Sequence, residues 1–231
     1  MNQKSTTLKT ITGKRWVNPY LAKINSLPDI LLSSDDNFNL STAQHSLLSS
    51  KLRDYPSIFC ELCSGSGGHL IKQAKKSPQA LFVGFELRYK RSFRTAEKAK
   101  KEGLRNLIVL RCDARTIDKY IPAETLSGVY LNFPDPWDRL RWEKHRLLSR
   151  EFLLKLYELL KPGGFFSYKT DHRERFKEAL GWIESLEGYR LEFKSFDLHA
   201  DTDFQDNVTT EFEELFRSKK VPVNYLYAVK I

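Results

Sequence analysis

From residue 56 onward, short apolar runs alternate with longer segments of helical periodicity, and this alternation restricts the chain to few architectures. Strand candidates are Ile58–Leu62, Leu81–Glu86, Leu107–Arg111, Gly128–Phe133, Phe165–Thr170, Leu191–Leu198 and Tyr225–Lys230. Helical candidates are Gly68–Lys76, Leu87–Glu102, Arg150–Leu160 and His172–Ser185. Strands separated by helices build βαβ units, whose parallel strands lie between helical layers. No clear helix separates the last two strand candidates, so that end of the sheet is expected to pair antiparallel. The predicted fold is α/β: a mostly parallel seven-stranded sheet with an antiparallel edge and helices on both faces.

Residues 1–55 differ in character from the 56–231 domain. They are rich in Ser, Asn and Asp, with an apolar patch at Ile30-Leu31-Leu32 and basic residues Lys9, Lys14 and Arg15 beside Trp16. They read as an N-terminal arm that packs on the domain or orders on a partner. The formal charge of +9 points towards nucleic acid or another anionic surface. No apolar run approaches the roughly 18 residues of a membrane span, and residues 1–7 lack the apolar core of a signal peptide. Three cysteines without dense spacing suit a reducing compartment, so a cytoplasmic location is expected.

The chemistry gathers where strands end. Glu61-Leu62-Cys63-Ser64-Gly65-Ser66-Gly67-Gly68 closes the first strand and opens the first helix. Glycines there let the backbone turn sharply and approach a ligand. A dinucleotide fingerprint would place its last small residue at Leu70, which is too large for that position. Glu86 ends the next strand at the distance where an acid grips ribose hydroxyls, and Asp113 ends the one after. So much negative charge repels phosphates and suits a nucleoside carrying a cation. S-adenosylmethionine, with its sulfonium, meets that description.

The strand through Gly128 to Phe133 then runs into Pro134-Asp135-Pro136-Trp137. Proline cannot extend a ladder, so the strand stops and a stiff loop holds one carboxylate and one indole at its carboxyl end. Such a loop suits a site that grips a flat, hydrogen-bond-donating ring attached to a polyanion, with Trp137 either stacking on that ring or walling the pocket. A basic run follows: Arg139, Arg141, Lys144 and Arg146. Arg91, Arg94, Lys98 and Lys101 form a second stripe at helical spacing, either a solvated face or a track for phosphates.

Together these blocks resemble the bacterial tRNA (guanine-N7-)-methyltransferase family, within the Rossmann-like class I methyltransferases. The matching residues are Glu61–Gly68, Gly84-Phe85-Glu86, Cys112-Asp113-Ala114, Asn132 to Trp137, Lys169-Thr170-Asp171 and Thr210-Glu211-Phe212-Glu213. The resemblance implies S-adenosylmethionine as cofactor, tRNA as partner and the variable-loop guanosine as target. It implies cofactor contacts at Glu61, Glu86, Asp113 and Asp135, beside the turn glycines Gly65 and Gly67. Asp135 is the expected catalytic residue. Contacts to tRNA are implied at Arg139, Asp171, Thr210, Glu211, Phe212 and Glu213, and the remaining loop cations Arg141, Lys144 and Arg146 are expected to join them. The loop departs from the family pattern: Asp138 and Glu143 dilute its charge, and Leu140 and Trp142 replace polar residues.

Cys60-x-x-Cys63 has no second Cys or His pair to complete a zinc site, and His45, His69, His145, His172 and His199 are scattered, so no metal is expected. Three other readings remain at this stage. One is a catalytically silent RNA-binding protein of the same fold. Another is an exocyclic-amine methyltransferase, disfavoured because no Pro-Pro-aromatic sequence occurs. The third is a nicotinamide-dependent oxidoreductase. Oligomeric state is left open.

Overall fold

The computed structural model describes residues 18–137, 140–201 and 207–231. Arg139 and the basic-aromatic residues Lys9, Lys14, Arg15 and Trp16 lie outside the described residues. The chain begins with a short helix α1 (Pro19–Lys23), strand β1 (Leu31–Ser33) and helix α2 (Thr42–Asp54). Alternation then sets in with β2 (Ser57–Leu62), α3 (Gly68–Lys76), β3 (Ala80–Phe85), α4 (Tyr89–Lys101), β4 (Leu107–Arg111) and β5 (Leu126–Asn132). It continues through α5 (Arg150–Leu159), β6 (Leu160–Thr170), α6 (Arg173–Ser185), β7 (Tyr189–Ser195), α7 (Glu211–Ser218) and β8 (Asn224–Lys230).

Among the described residues the strands form one sheet in the order β1-β4-β3-β2-β5-β6-β8-β7. The first six run parallel, and β8 runs antiparallel to both β6 and β7. Burial follows position. All six residues of central β3 are buried, as befits a parallel strand covered on both faces. Edge strand β7 instead exposes Arg190, Glu192 and Lys194, charges that discourage another strand from pairing. One apolar core joins the sheet to Leu48 of α2, Leu153 and Leu156 of α5, and Phe176 and Leu180 of α6. The opposite face packs on Ile24, Leu70 and Ile71 of α3, and Phe93 and Ala96 of α4.

Two features correct the sequence reading. There are eight strands among the described residues, where seven are expected. The additional β1 lies in the apolar patch of residues 30–32 and pairs with β4, Leu31 opposite Val109; three residues are too few to show a period. The antiparallel edge is present, but a helix, α7, does stand between the last two strands in the chain. No helix among the described residues is long and apolar enough to cross a membrane.

From β2 the chain winds through β3 to β4 on one side, then returns to lay β5 and β6 on the other. The reversal between β2 and β5 opens a crevice at their carboxyl ends, where ligands bind in sheets of this kind.

Candidate active site

That crevice is a cleft of about 300 Å³, walled by the ends of β2, β3, β4 and β5 and by the start of α7. Its floor is the turn after β2. Cys63, Gly65 and Gly67 all adopt positive φ, at 56°, 57° and 74°. At Gly67 glycine is required twice over, since a Cβ there would stand 2.2 Å from Thr95 Cγ2 in α4.

Glu61 is nearly buried beneath the turn. Its Oε1 accepts from Asn132 Nδ2 at 3.1 Å, and His69 Nδ1 stands 3.2 Å from Oε2. Oε2 accepts no hydrogen bond within the described residues, and neither does buried Ser64 Oγ beside it. Buried polar atoms without partners are costly, and here they line a cleft that can admit a ligand.

Glu86 and Asp113 share one construction. Glu86 Oε1 accepts from the backbone N–H of Arg88 at 2.7 Å, while Oε2 accepts from that of Gly65 at 3.1 Å. Asp113 Oδ1 accepts from the backbone N–H of Arg115 at 3.0 Å. Each strand-end acid is therefore pinned by the amide two residues on. Burial pushes the Glu86 carboxyl above its usual range. Burial also works to raise Asp113, but the Arg115 hydrogen bonds outweigh it and hold that carboxyl low. The Arg115 guanidinium meets both Asp113 oxygens from Nε at 3.0 Å and donates through Nη1 to the Lys144 carbonyl at 3.2 Å.

Asp135 is exposed at the cleft mouth, with Arg88 Nη2 3.8 Å from Oδ2. The loop around it is held open by positive φ at Phe133 (48°) and Trp137 (47°). Arg146 secures the far end, donating from Nε and Nη2 to the Trp137 carbonyl at 3.2 Å each and pairing with Glu143 at 2.9 Å. Trp137 packs against His145 and, edge-on, against Trp142. Cys63 opens into the cleft, yet desolvation, and then the charges of Glu86, Asp135, Asp113 and Glu61, push its thiol up to about 12.

The remaining predicted residues divide. Glu211 lines the cleft and accepts from Ser66 Oγ at 3.2 Å. Phe212 is half exposed beside it, its ring 6.2 Å from Phe133. Thr210 and Glu213 are buried and form the reciprocal N-terminal cap of α7. Asp171 is exposed at the end of β6 and does not line the cleft. Arg141 and Lys144 are exposed, Arg141 lying 5.0 Å from the Trp142 ring. In the second basic stripe, Arg91 lines the cleft, Arg94 pairs with Glu97, and Lys98 donates to the Ser66 carbonyl. Among the described residues no group of three or more His, Cys, Asp or Glu side chains is placed to hold a metal ion.

Sequence reasoning missed Arg88, Arg115 and His69 in this site. The first two carried a signal: each stands two residues after a strand-end acid. His69 carried none, and Asn132, although it opens the motif that runs to Trp137, gave no sign that the fold brings it to Glu61.

The fold and this acid-rich crevice at the switch point define a class I S-adenosylmethionine-dependent methyltransferase. A family model described as putative methyltransferase matches residues 56–226. A tRNA (guanine-N(7)-)-methyltransferase of Lactobacillus johnsonii is 36% identical over 170 residues, covering 73% of this chain and 78% of that protein. The chain belongs to the tRNA (guanine-N(7)-)-methyltransferase family. It also matches a bifunctional glycosyltransferase/methyltransferase of Fusobacterium nucleatum, 30% identical over 93% of this chain, and spans only 33% of that longer protein. A solved putative methyltransferase from Streptococcus mutans, in complex with SAH, shares the fold with a TM-score of 0.52. That likeness covers 82% of this chain and 96% of the other at 15% identity.

Proposed function

We propose that this protein transfers the methyl group of S-adenosylmethionine to N7 of a guanine in tRNA, and that the target is the variable-loop guanosine. One arrangement carries the reading: Glu61, Glu86 and Asp113 surround a small cleft while a fourth carboxylate, Asp135, stands at its mouth. When bound, the cofactor supplies a methyl group on a positively charged sulfur. Glu86 would hold the ribose hydroxyls and Asp113 the adenine amine. Glu61 Oε2 and Ser64 Oγ have free capacity for the methionine end. Hydrogen bonds to such ionised acceptors contribute about 1.5–3 kcal/mol each.

Guanine N7 has a lone pair and no proton, so the transfer needs no general base. The protein must instead align N7 with the methyl carbon and the sulfur, which is catalysis by proximity and orientation. Asp135 accepts from the donors of the guanine ring and fixes its plane. Phe212 and Phe133 form one side of the mouth, and Trp137 with His145 form the other. A base must leave its stack in folded RNA to enter between them.

The test is to incubate the purified protein with labelled S-adenosylmethionine and unmodified tRNA, digest the RNA and identify the methylated nucleoside. 7-Methylguanosine at one variable-loop position is the expected result. A different methylated nucleoside, or bound cofactor without any methylation, would overturn the reading.

A further inference from the structure

We infer that Lys169 and Glu213 are positioning residues that together set both walls of the cleft mouth, and that Glu213 itself touches no base. The inference rests on the reading of this cleft as the methyl-transfer site. Glu213 is fully buried at 0% exposure and Lys169 is at 3%. Lys169 Nζ donates to Glu213 Oε2 at 2.8 Å, to Asn207 Oδ1 at 2.5 Å and to the Val208 carbonyl at 3.2 Å.

Both Glu213 oxygens are already engaged. Oε1 accepts from Asn207 Nδ2 at 2.6 Å and lies 3.0 Å from His199 Nε2. Oε2, besides Lys169, accepts from the Thr210 backbone N–H at 3.3 Å. Successive side chains on a helix turn by about 100°. Glu211 and Phe212 therefore reach the cleft while Glu213 turns inward to the lysine.

The same lysine reaches the Asp135 loop through its main chain. Lys169 pairs with Asn132 in the sheet, and its carbonyl accepts from the Phe133 N–H at 2.8 Å, immediately before Pro134-Asp135-Pro136. One residue thus fixes the start of the Asp135 loop with its backbone and the start of α7 with its ammonium. Lys169 thereby ties the Asp135 loop and the start of α7 to one point in the sheet.

Three variants test this: Lys169→Met, Glu213→Gln, and the two combined. Each single change leaves one buried charge without its partner, a strongly destabilising condition. Each should lower kcat/KM for tRNA about 10- to 100-fold by misplacing the walls. Affinity for SAH should fall less than kcat/KM, because Lys169 acts on Glu61 through charge while Glu86 and Asp113 are held by their own backbone amides. The double variant removes both charges, and Gln keeps the α7 capping box. Because both residues act through one contact, the double variant should be no more impaired in kcat/KM than the worse single variant.

If Glu213 contacts the base independently of Lys169, the two losses in kcat/KM will multiply in the double variant while SAH still binds, and the inference falls. Hydrogen exchange in the Lys169→Met protein gives an answer even if the double variant does not fold. Protection of the α7 amides should drop together with turnover; lost turnover with unchanged protection would overturn the positioning role. A wild-type protein that methylates no RNA would overturn the functional reading instead, and is recognised before any variant is compared.

Discussion

The His69 imidazole stands 3.2 Å from the Glu61 carboxylate, and both side chains are almost wholly inside the protein. The pair sits under the glycine turn, so the helix that follows the turn steadies the acid that precedes it. Replacing His69 by Phe keeps the ring volume but leaves Glu61 with only Asn132. SAH affinity should fall about tenfold, in line with losing a contact to a charged group. Calorimetric titration with SAH would show this, and an unchanged affinity would separate His69 from the cofactor end of the cleft.

Asp135→Ala should lower kcat/KM with tRNA roughly 100-fold or more, since it removes the group that fixes the base plane. Its carboxylate is exposed, and among the described residues the ion pair it makes is a long one to Arg88, so stability should change little. Binding of tRNA, measured by filter retention, should stay near wild type. Normal turnover would remove Asp135 from the reaction.

The three thiols are raised by burial: Cys63 and Cys112 each to about 12, and Cys60 further still. At pH 8 alkylation of the buried Cys60 and Cys112 should be at least about 100-fold slower than that of a free thiol, whose pKa is about 8.5. Cys63, exposed in the cleft, should react faster than either, and bound SAH should slow it. Below the ordinary thiol range the folded and unfolded chains hold these protons alike. Above it the unfolded chain releases them first, so stability should decline as pH rises from about 8.5 through the folded values. Urea midpoints measured from pH 7 to 10.5 report the slope, and a flat or rising profile would contradict the raised thiols.

Gly67→Ala combines a backbone at φ 74° with a Cβ 2.2 Å from Thr95 Cγ2. The backbone alone should cost about 1–3 kcal/mol, with steric strain in addition. The melting temperature should fall by several degrees, and SAH binding should weaken as the turn shifts. Unaltered melting would show that the turn can relax.

Arg141→Ala combined with Lys144→Ala removes two exposed cations from the loop after Trp137. The slope of log K for tRNA against log salt should become shallower by about one to two units, with SAH affinity unaltered. An unchanged slope would mean that this loop faces solvent in the complex.

Most of the parallel sheet was legible because buried parallel strands read as nearly unbroken apolar runs: every position of β3 and β4 is buried, and all but Gly84 and Arg111 carry an apolar side chain. The elements missed were those whose information is local and polar. Helices α2 and α7 each begin with a capping box, Ser41 with Gln44 and Thr210 with Glu213. The second box falls inside a motif that reads as a substrate contact. The strand-end acids could be found in the sequence because a βα unit fixes where they emerge. Their partners could not, because His69 meets Glu61 across the turn and Asn132 arrives from β5. The fate of Glu213 was hidden for the same reason, as Lys169 lies 44 residues away in the chain.

The insertion of β8 between β6 and β7 sets an order on assembly. β7 leaves the ribosome before β8, yet it has no strand to pair with until β8 arrives, because β8 is its single neighbour among the described strands and stands between it and β6. A chain interrupted before Asn224 would leave β6 with an open edge beside the segment that holds Lys169. Such edges invite pairing with other chains. An unfinished copy of this protein would therefore aggregate or be degraded rather than persist as a partly working enzyme.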